Sequence, residues 1–551
     1  MELYHNNFIR SIIVVIFCCI LYSIITVNLY FTQILQNNFF KDLGEKQYNV
    51  TIQTFPQRAC IYDRNNNPVA INKDSLSAFI LPKALQDKDE LLSFLQQHFP
   101  QAYERFDQYK NKNFMFIQRN LTPQQQELIQ KSNNCNIHIL TESSRFYPYE
   151  AMGTIIGITD IDNHGLFGLE LQYNKKLQGT PTTYKLKKNA KSHHFYFSKE
   201  MTQQGYDGQP ITLTIDAILQ HKFQAILHDA VQKHGAQEAG ALAMDPHTGE
   251  LIAIASYPYF NPNETKKLNM EHTKCRPVTN CFETGSVIKV FAALAALQEG
   301  VTSLDEKIDC LNTKETYLDH LRIRTVIAAG VITFQEIMEQ SNNIGIVKVM
   351  KRLGADLYDY YKMVGFGEYT GLHFPGEQKG FVNHPSNWSA YSIQSLSYGY
   401  EITTSLLQLA RGFSAIVNGG YLVTPYLLKD STKEQKGPLF SHKTLDDMKT
   451  LLRSTVEKGS GMRARIPGYT IYGKTGTANI LINGQYDDDR HLYTFIGAVE
   501  HNNTIRTIVC YLKDSKKSTY ASLITAPLFK ELADALIMHE QHARVEPMTH
   551  L

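Results

Sequence analysis

The stretch ETGSVIKVFAALAAL, from Glu283 to Leu297, contains a serine, a lysine three positions later and a long apolar run. Ser286 is the only serine of the chain with a lysine at this spacing, Lys289. If a helix begins near Gly285, positions i and i+3 share one face, so the amine can reach the hydroxyl. A serine alcohol needs a base to become a nucleophile, and a desolvated lysine can serve as one. By itself the stretch fits either an ordinary helix start or a nucleophilic serine, for which the unsatisfied N–H groups of a helix start can stabilise an oxyanion.

A second short motif follows downstream and pairs a hydroxyl with an amide. Ser341 and Asn343 are separated by one residue, Asn342, and the pattern predicts that both polar groups enter one cleft. The same spacing occurs at 132–134, ahead of the nucleophile, where we interpret it as a polar turn.

The third motif is the only Lys-Thr-Gly of the chain and lies in a predicted strand. It comprises Lys474, Thr475 and Gly476, and Thr477 follows directly. A glycine in a strand lets a ligand approach the backbone closely. A cation beside two hydroxyls suits a carboxylate. By itself the motif fits either an exposed strand end or a binding site for a substrate carboxylate.

The region after about residue 211 has the pattern of an α+β domain. Apolar runs at 241–244 and 251–255 flank a turn-rich segment and predict a β-hairpin. A helix-rich middle follows, in which 334–354 shows apolar residues at i, i+3 and i+4. Further strands are predicted at 468–480, 491–500 and 504–514, and Pro527 is expected to open a final helix. Strands at both ends favour an antiparallel sheet in which the first hairpin pairs with the last strands.

The composition excludes several classes of protein. The 551 residues correspond to two to four domains at about 150 residues each. The apolar share of 43% and the charged share of 20% are those of an average globular protein. A net charge of +2 gives no reason to expect nucleic acid as a partner. Eight cysteines without a CxxC spacing argue against a disulfide scaffold and a structural zinc site.

The N-terminal region contains one long apolar run, IIVVIFCCILYSIITVNLY at 12–30. As a helix it would be roughly 28 Å long, enough to cross a bilayer. A buried core helix and a cleaved signal peptide are the alternatives, but no small-residue cleavage site follows. We therefore predict an uncleaved single-pass anchor. Arg10 precedes the run while Lys41 and Lys46 follow it, so charge does not set its orientation.

The three motifs, in this order, resemble those of the penicillin-recognising serine enzymes. From the anchor to about residue 540 the chain resembles class B penicillin-binding proteins, the D,D-transpeptidases that crosslink peptidoglycan. Other stretches that carry the resemblance are RACIYDRNNNPVA at 58–70, RFYP at 145–148, GLFGLE at 165–170, the segment 245–255 and APLFKELADAL at 526–536. The stretch 395–420 is most similar to division-type members, which favours septal over elongation synthesis.

The resemblance implies an α+β architecture with a single N-terminal transmembrane helix, an elongated pedestal domain and a transpeptidase domain. The last is expected to hold an antiparallel five-stranded sheet with helices on both faces. The expected bounds are a cytoplasmic tail at 1–11, the anchor at 12–36, a non-catalytic pedestal or dimerisation-type domain at 37–210, the transpeptidase domain at 211–540 and a C-terminal tail at 541–551. Stem peptides are crosslinked outside the cytoplasm, so the body should lie on the periplasmic side of the inner membrane.

The resemblance also implies a role for each residue of the motifs. Ser286 is expected to be acylated, with Lys289 as its base, Ser341 as a proton relay and Asn343 as a hydrogen-bond partner of the substrate amide. The terminal carboxylate is expected to bind in a pocket lined by Lys474, Thr475, Gly476 and Thr477. Backbone N–H groups of Ser286 and Thr477 would form the oxyanion hole.

The implied reaction requires no metal and no organic cofactor. The acidic run at 487–489 is expected to be a solvated loop between two strands. One departure from the family lies just before the nucleophile, where relatives commonly have proline in place of Thr284; a local change of turn with intact chemistry is expected. Cys275 and Cys281 could pair in an oxidising compartment, although free thiols are expected.

The implied partners are peptidoglycan stem peptides, with a D-Ala-D-Ala donor and an amine acceptor, and β-lactam antibiotics. A separate membrane glycosyltransferase and division-complex proteins are also expected, since the interval 37–210 lacks a polymerase motif; no nucleic acid is expected. Alternatives are an elongation-type transpeptidase, a membrane-anchored β-lactamase or β-lactam-binding protein of the same fold, and a scaffold with an inactive site.

Overall fold

The computed structural model describes residues 2–86, 88–188, 195–266, 268–502, 504–516 and 520–545. The chain forms two compact units, Met1–Arg58 with Gln178–Gly208, and Ala59–Leu177 with Gln209–Leu551.

The α-helices of these residues are α1 (Glu2–Tyr30), α2 (Asn37–Tyr48), α3 (Lys88–His98), α4 (Pro100–Tyr109), α5 (Pro123–Ser132), α6 (Gly153–Ile156), α7 (Gly168–Gln172), α8 (Asn174–Gln178), α9 (Ala217–His234), α10 (Arg276–Thr279), α11 (Lys289–Gln298), α12 (Phe334–Gln340), α13 (Asn343–Leu353), α14 (Asp356–Met363), α15 (Ser392–Ser397), α16 (Leu406–Val417), α17 (His442–Glu457) and α18 (Ala521–Val545). The strands are β1 (Asn49–Thr54), β2 (Ile61–Tyr62), β3 (Pro68–Ile80), β4 (Met115–Gln118), β5 (His138–Phe146), β6 (Thr182–Lys188), β7 (Phe195–Gln203), β8 (Ile211–Thr212), β9 (Glu238–Met244), β10 (Leu251–Tyr257), β11 (Lys307–Leu318), β12 (Leu321–Thr333), β13 (Phe381–Val382), β14 (Ile402–Thr403), β15 (Leu422–Val423), β16 (Gln435–Lys436), β17 (Thr470–Ile482), β18 (Gln485–His501) and β19 (Thr504–Lys513).

The smaller unit contains the apolar N-terminal helix. Helix α1 continues into a π-helical turn, Phe31–Leu35, and the segment Phe8–Leu35 is long and apolar enough to cross a membrane. Within the described part of the chain it is the one helix with this property, which fits a single-pass anchor. Helix α2 follows, and strands β1, β6 and β7 form an antiparallel sheet in that order.

The larger unit begins with a pedestal lobe, residues 59–177. Strands β4, β3 and β2 neighbour one another in one sheet, with β8 beyond β2 and with β5 paired to β3. Helices α3, α4 and α5 contribute to a separate apolar core over this sheet. Arg145 and Glu170 form a buried ion pair in the lobe, with Nε and Oε1 2.7 Å apart. The polar 132–134 stretch ends α5 in this lobe, away from the three motifs.

The catalytic-type domain is organised around an antiparallel five-stranded sheet with the order β10-β9-β19-β18-β17. The predicted hairpin of β9 and β10 pairs with the last strands through β19, as expected. Alternate residues face opposite sides: Phe495 packs on Phe529 of α18, while Thr507 hydrogen-bonds Ser414 of α16 at 2.9 Å. Helices thus cover both faces, and the predicted fold class is confirmed.

Three details differ from the sequence-based expectations. The helical pattern at 334–354 is split into α12 and α13, because Ser341 adopts a left-handed φ of +57° between them. Helix α18 starts at Ala521 and continues through Pro527. Proline removes one backbone hydrogen bond of the helix, but burial of the apolar face of the helix stabilises it by more than that loss. The acidic run 487–489 lies within strand β18 and not in a loop. Asp487 pairs with Ile480 because the two-residue turn at Asn483 starts the hairpin. Asp488 and Asp489 are exposed at a register shift.

Candidate active site

Ser286 lies on a 3-10 turn, Gly285–Ile288, that leads directly into α11. Positions i and i+3 eclipse in such a turn, which places Ser286 and Lys289 on one face. Gly285 has a φ of +58°, and a Cβ atom there would lie 2.2 Å from the carbonyl oxygen of Thr477. The close approach of strand β17 to the turn therefore requires glycine before the serine.

Lys289 is fully buried at the start of α11. Its Nζ donates to the carbonyl oxygen of Ser341 at 2.8 Å, to Ser341 Oγ at 3.3 Å and to Asn343 Oδ1 at 2.5 Å. Among the described residues no hydrogen bond joins Lys289 to the hydroxyl of Ser286, which borders the cleft. The second motif therefore holds the amine beside the serine.

The second motif occupies the break between α12 and α13. The left-handed Ser341 ends α12, and the side chain of Asn342 caps the first turn of α13. The side-chain Nδ2 of Asn343 donates to the backbone carbonyl oxygen of Arg324 on β12 at 2.6 Å. This break turns the Ser341 hydroxyl and the Asn343 carbonyl toward Lys289, which a continuous helix would not do.

The third motif brings a second lysine to the same hydroxyl. Lys474 on β17 has no exposed surface, and its Nζ donates to Ser341 Oγ at 2.9 Å and to the carbonyl oxygen of Thr475 at 3.1 Å. Ser341 Oγ therefore accepts hydrogen bonds from both lysines. The three motifs, distant in sequence, converge on one oxygen atom.

Both lysines have a lowered pKa. Burial, together with the nearby cation of Lys474, holds the pKa of Lys289 well below its ordinary value. Burial lowers the pKa of Lys474 to about 7. In the described part of the chain neither lysine forms an ion pair with a carboxylate. A buried amine that is readily neutral can accept a proton from a hydroxyl.

The cleft has two arms that share Ser286, Arg324, Asn343 and Thr477. The first arm has a volume of about 570 Å³. Its lining includes Ser341, Lys458, Ser460, Thr475, Gly476 and Tyr520. The second arm has a volume of about 650 Å³. Its lining includes Arg322, Tyr398, Tyr400, Asn479, Asp488 and His491.

Ser460 is a cleft residue that sequence reasoning missed. The hydroxyl of Thr475 donates to Ser460 Oγ at 2.8 Å, and the backbone N–H of Ser460 donates to the carbonyl oxygen of Glu339 at 3.0 Å. A Cβ atom on Gly459 would lie 2.4 Å from that same carbonyl oxygen. The glycines at 459 and 461 indicate a tight turn but no contact with Thr475, so the sequence held only a weak signal.

The second arm was also missed. One wall is the β11–β12 hairpin with Arg322 and Arg324, and another is formed by Tyr398 and Tyr400. These residues belong to no short motif, and only the fold brings them to Ser286.

Two further expectations concern residues near the nucleophile. Thr284 is buried and adopts φ −95° and ψ −4° directly before the turn. Cys275 and Cys281 are both free thiols, and burial raises the pKa of each to about 12. The turn at Thr284 leads into the 3-10 geometry without a left-handed residue at that position.

Comparison with known proteins agrees with this geometry. Residues 239–534 match the penicillin-binding protein transpeptidase domain family, and residues 53–213 match the penicillin-binding protein dimerisation domain family. The chain belongs to the class B penicillin-binding proteins, whose members are serine-type D,D-transpeptidases with a dimerisation domain before the catalytic one. The resemblance read from the three motifs is thereby confirmed.

Individual relatives cover nearly the whole chain. The probable peptidoglycan D,D-transpeptidase PenA of Neisseria gonorrhoeae is 30% identical over 538 residues, which are 96% of this chain and 91% of that protein. The peptidoglycan D,D-transpeptidase FtsI of Escherichia coli K12 is 26% identical over 541 residues, 95% and 91% of the two chains. The crystal structure of penicillin-binding protein 3 of Mycobacterium tuberculosis with aztreonam has a TM-score of 0.69 at 24% identity and covers 89% of this chain and 97% of its own, a likeness of fold.

Proposed function

We propose that this chain crosslinks peptidoglycan stem peptides through an ester at Ser286 in septal wall synthesis. The observation that carries the proposal is the convergence of Lys289 and Lys474 on Ser341 Oγ, at 3.3 and 2.9 Å, beside the cleft that Ser286 borders. Membership of the family supplies the class of reaction. The roles below are assigned from the position of each group in the cleft.

Acylation begins with a proton transfer. Neutral Lys289 accepts the proton of the Ser286 hydroxyl while the oxygen forms a bond to the carbonyl carbon of the D-Ala-D-Ala peptide bond. The backbone N–H groups of Ser286 and Thr477 stabilise the negative oxygen of the tetrahedral intermediate. The carbon–nitrogen bond then breaks. The leaving D-Ala amine receives the proton through the Ser341 hydroxyl, which accepts a hydrogen bond from Lys289.

Transfer reverses these roles. An amine of a neighbouring stem attacks the ester carbonyl, loses its proton to Lys289 and displaces the Ser286 oxygen, which recovers a proton. The Asn343 side chain would hold the amide of the donor stem, since it lines both arms beside the serine. No metal and no organic cofactor takes part in these steps.

The terminal carboxylate binds in the first arm. Lys474 and the Thr477 hydroxyl supply donors to the carboxylate. The hydroxyls of Thr475 and Ser460, 2.8 Å apart, share one proton between them and offer the other to the carboxylate. The peptide then passes Ser286 and Asn343, so the acyl part of the donor stem extends into the second arm.

The placement of the chain follows from its substrate. We assign a cytoplasmic tail to 1–11, the anchor to 12–36, the pedestal to 37–210, the transpeptidase domain to 211–540 and a tail to 541–551. Stem peptides lie outside the cytoplasm, so the anchor places the body on the periplasmic side of the inner membrane. A β-lactam would acylate Ser286 because its ring amide and carboxylate mimic the donor peptide.

Septal action requires partners. The match of 53–213 to a dimerisation domain supports a chain that crosslinks but does not polymerise glycan, and so works beside a separate membrane glycosyltransferase and division proteins. The relative named FtsI and the stretch 395–420 support the septal role over elongation. A fluorescent fusion should collect at the division site; an even distribution along the cell wall would favour elongation. Purified protein with lipid-linked disaccharide alone should make no glycan strands.

Mass spectrometry after labelled penicillin tests the site. The full chain in detergent should carry a long-lived adduct on Ser286, and Ser286→Ala should carry none. The exposed Ser303→Ala is the matched control and should label like the wild type. An adduct on another serine in the Ser286→Ala variant would overturn the assignment. Rapid hydrolysis of the wild-type adduct would indicate a β-lactamase instead.

A further inference from the structure

A contact between two side chains next to the second arm has no part in the mechanism above. The Tyr486 hydroxyl lies 3.0 Å from Glu283 Oε1 and 2.9 Å from Oε2. Glu283 precedes Ser286 by three residues, and Tyr486 lies on β18 just after the turn of the β17–β18 hairpin. The contact therefore joins the nucleophile segment to the far end of that hairpin.

Glu283 binds a third segment as well. Its Oε1 accepts the backbone N–H of Glu401 at 3.0 Å. The neighbouring Phe282 exchanges two backbone hydrogen bonds with Thr404, each 3.1 Å long. One carboxylate thus connects the nucleophile segment, the segment that carries Tyr400 and the hairpin.

The ring of Tyr486 extends these contacts to the lining of the second arm. It packs edge-on against Tyr400, with ring centroids 4.9 Å apart and an interplanar angle of 80°. The hydroxyl of Tyr400 accepts the backbone N–H of Asn479 at 3.3 Å, and its ring packs edge-on against Tyr398 at 5.7 Å. Tyr398, Tyr400 and Asn479 all line the arm. Glu283 and Tyr486 do not line it, but Tyr486 contacts Tyr400, which does.

The turn end of the β17–β18 hairpin extends beyond the five-stranded sheet. Pairing of β18 with β19 begins at Leu492. Before it, residues 485–487 and His491 pair with β17 alone, and 488–490 have no strand partner among the described residues. The β17–β18 register also shifts between Asn479 and Ile480, which re-aims the strand at this point. A two-stranded ribbon is marginally stable by itself in water. Its position over the arm therefore depends on contacts at its far end.

We infer that Glu283 and Tyr486 are positioning residues that hold the β17–β18 ribbon against the second arm and thereby set how tightly the acyl part of the donor binds there. The inference rests on the proposed function, since it takes the donor to run from Ser286 into that arm. Neither residue touches the reacting atoms. Their effect should depend on whether the acylating molecule reaches the arm.

Two β-lactam probes test this dependence. One is a penicillin with a bulky aromatic acylamino side chain, and the other is 6-aminopenicillanic acid, which has no acyl group to enter the arm. Tyr486→Phe removes one hydroxyl and keeps the ring on Tyr400. We expect its second-order acylation rate to fall roughly tenfold with the bulky probe, the effect of one charge-assisted hydrogen bond, and to change little with the small one.

Two further variants sharpen the test. Tyr469→Phe is the matched control, because it also removes a bonded tyrosine hydroxyl, 2.8 Å from Gln541 Nε2, at a site that lines neither arm. It should leave both rates unchanged. Glu283→Gln keeps an acceptor oxygen for Tyr486 and Glu401. Its acylation rate with the bulky probe should therefore fall less than that of Glu283→Ala. Hydrogen exchange at 480–486 should be faster in Tyr486→Phe than in the control.

Several outcomes would overturn the inference. Equal losses with both probes would show general damage to the site, and bulky-probe rates equal to those of Tyr469→Phe would show that the contact does not matter. Unchanged exchange at 480–486 would show that the ribbon is held by other means. A wild-type chain that neither probe acylates would instead overturn the proposed function, and this inference with it.

Discussion

The chain buries charge in two opposite ways. In the pedestal lobe the Arg145 guanidinium is paired with Glu170 at 2.7 Å, and their side chains are 2% and 0% exposed. In the cleft Lys289 and Lys474 are equally buried, yet they share Ser341 Oγ, a neutral acceptor. The buried charges of Arg145 and Glu170 compensate one another, whereas the site places two amines together with no carboxylate partner among the described residues.

The difference separates a structural use of charge from a chemical one. Removing an ion from water is costly, and the cost is offset either by an opposite charge or by loss of the charge itself. Glu170 provides the first solution for Arg145. The second solution lowers the lysine pKa values, which makes a neutral amine available as a base. The stability of the site is thus given up in part for reactivity.

The largest expected effect is on catalysis by Lys289→Met. Loss of the base should reduce the rate of Ser286 acylation by about 10²- to 10⁴-fold, measured with a fluorescent penicillin. The same change removes a desolvated amine but leaves acceptors of Ser341 and Asn343 without their donor. These effects on stability oppose one another, so the thermal unfolding midpoint should change little. The exposed Lys443→Met on α17 is the control for both measurements. Near wild-type acylation would exclude Lys289 as the base.

In the pedestal lobe we expect a loss of stability without a loss of acylation. Glu170→Gln leaves the Arg145 charge without its counter-ion and should lower the free energy of unfolding by about 3 kcal/mol, measured by denaturant titration. Acylation by penicillin at low temperature should be unchanged. The matched control is Glu315→Gln, whose partner Arg322 is 48% exposed, and it should have a much smaller effect. Similar losses in both variants would contradict the role of burial.

A pH profile sharpens the comparison of the two lysines. If Lys289 is the base, as we propose, its neutral form is the reactive one, and the acylation rate should rise with pH through its lowered pKa. The cation of Lys474 contributes to that lowering, and Lys474→Ala removes it. The pKa of Lys289 should then be higher, and the profile of the variant should lie on the alkaline side of the wild type. An unshifted or acid-shifted profile would show that the two amines are not coupled.

The smallest effect is expected at a carboxylate that caps α9. Although burial alone would raise the pKa of Asp216, hydrogen bonds from His539 and the backbone N–H of Leu219 lower it to about 2. Because the pKa of Asp216 is lowered in the folded state, its ionised carboxylate stabilises the fold. This contribution is fully present above the ordinary pKa of about 4 and is lost as the pH falls through about 2. Asp216→Asn keeps the cap and should weaken the fall in unfolding midpoint between these pH values. An unchanged fall would assign acid sensitivity to other groups.

Most of the correct predictions of secondary structure came from local sequence patterns. The β9–β10 hairpin, the strands around Lys474 and the helix after Ser286 each follow from residue spacing and turn chemistry within a few positions. The errors were also local. The helical spacing of 334–354 continues through Ser341, and no nearby signal marks the left-handed residue that divides it. The break is stabilised by contacts with Lys289 and β12, which lie far away in sequence.

The sequence by itself determined the apolar anchor segment, the identity and order of the three motifs and the strands that form the sheet, because these depend on composition and short-range periodicity. Only the tertiary structure decided that two lysines meet at Ser341 Oγ, that Ser460 supports Thr475 and that Glu283 binds Tyr486. These contacts join residues on separate elements. The lowered pKa values of the two lysines depend on burial, and burial is a property of the packed chain that no single segment encodes.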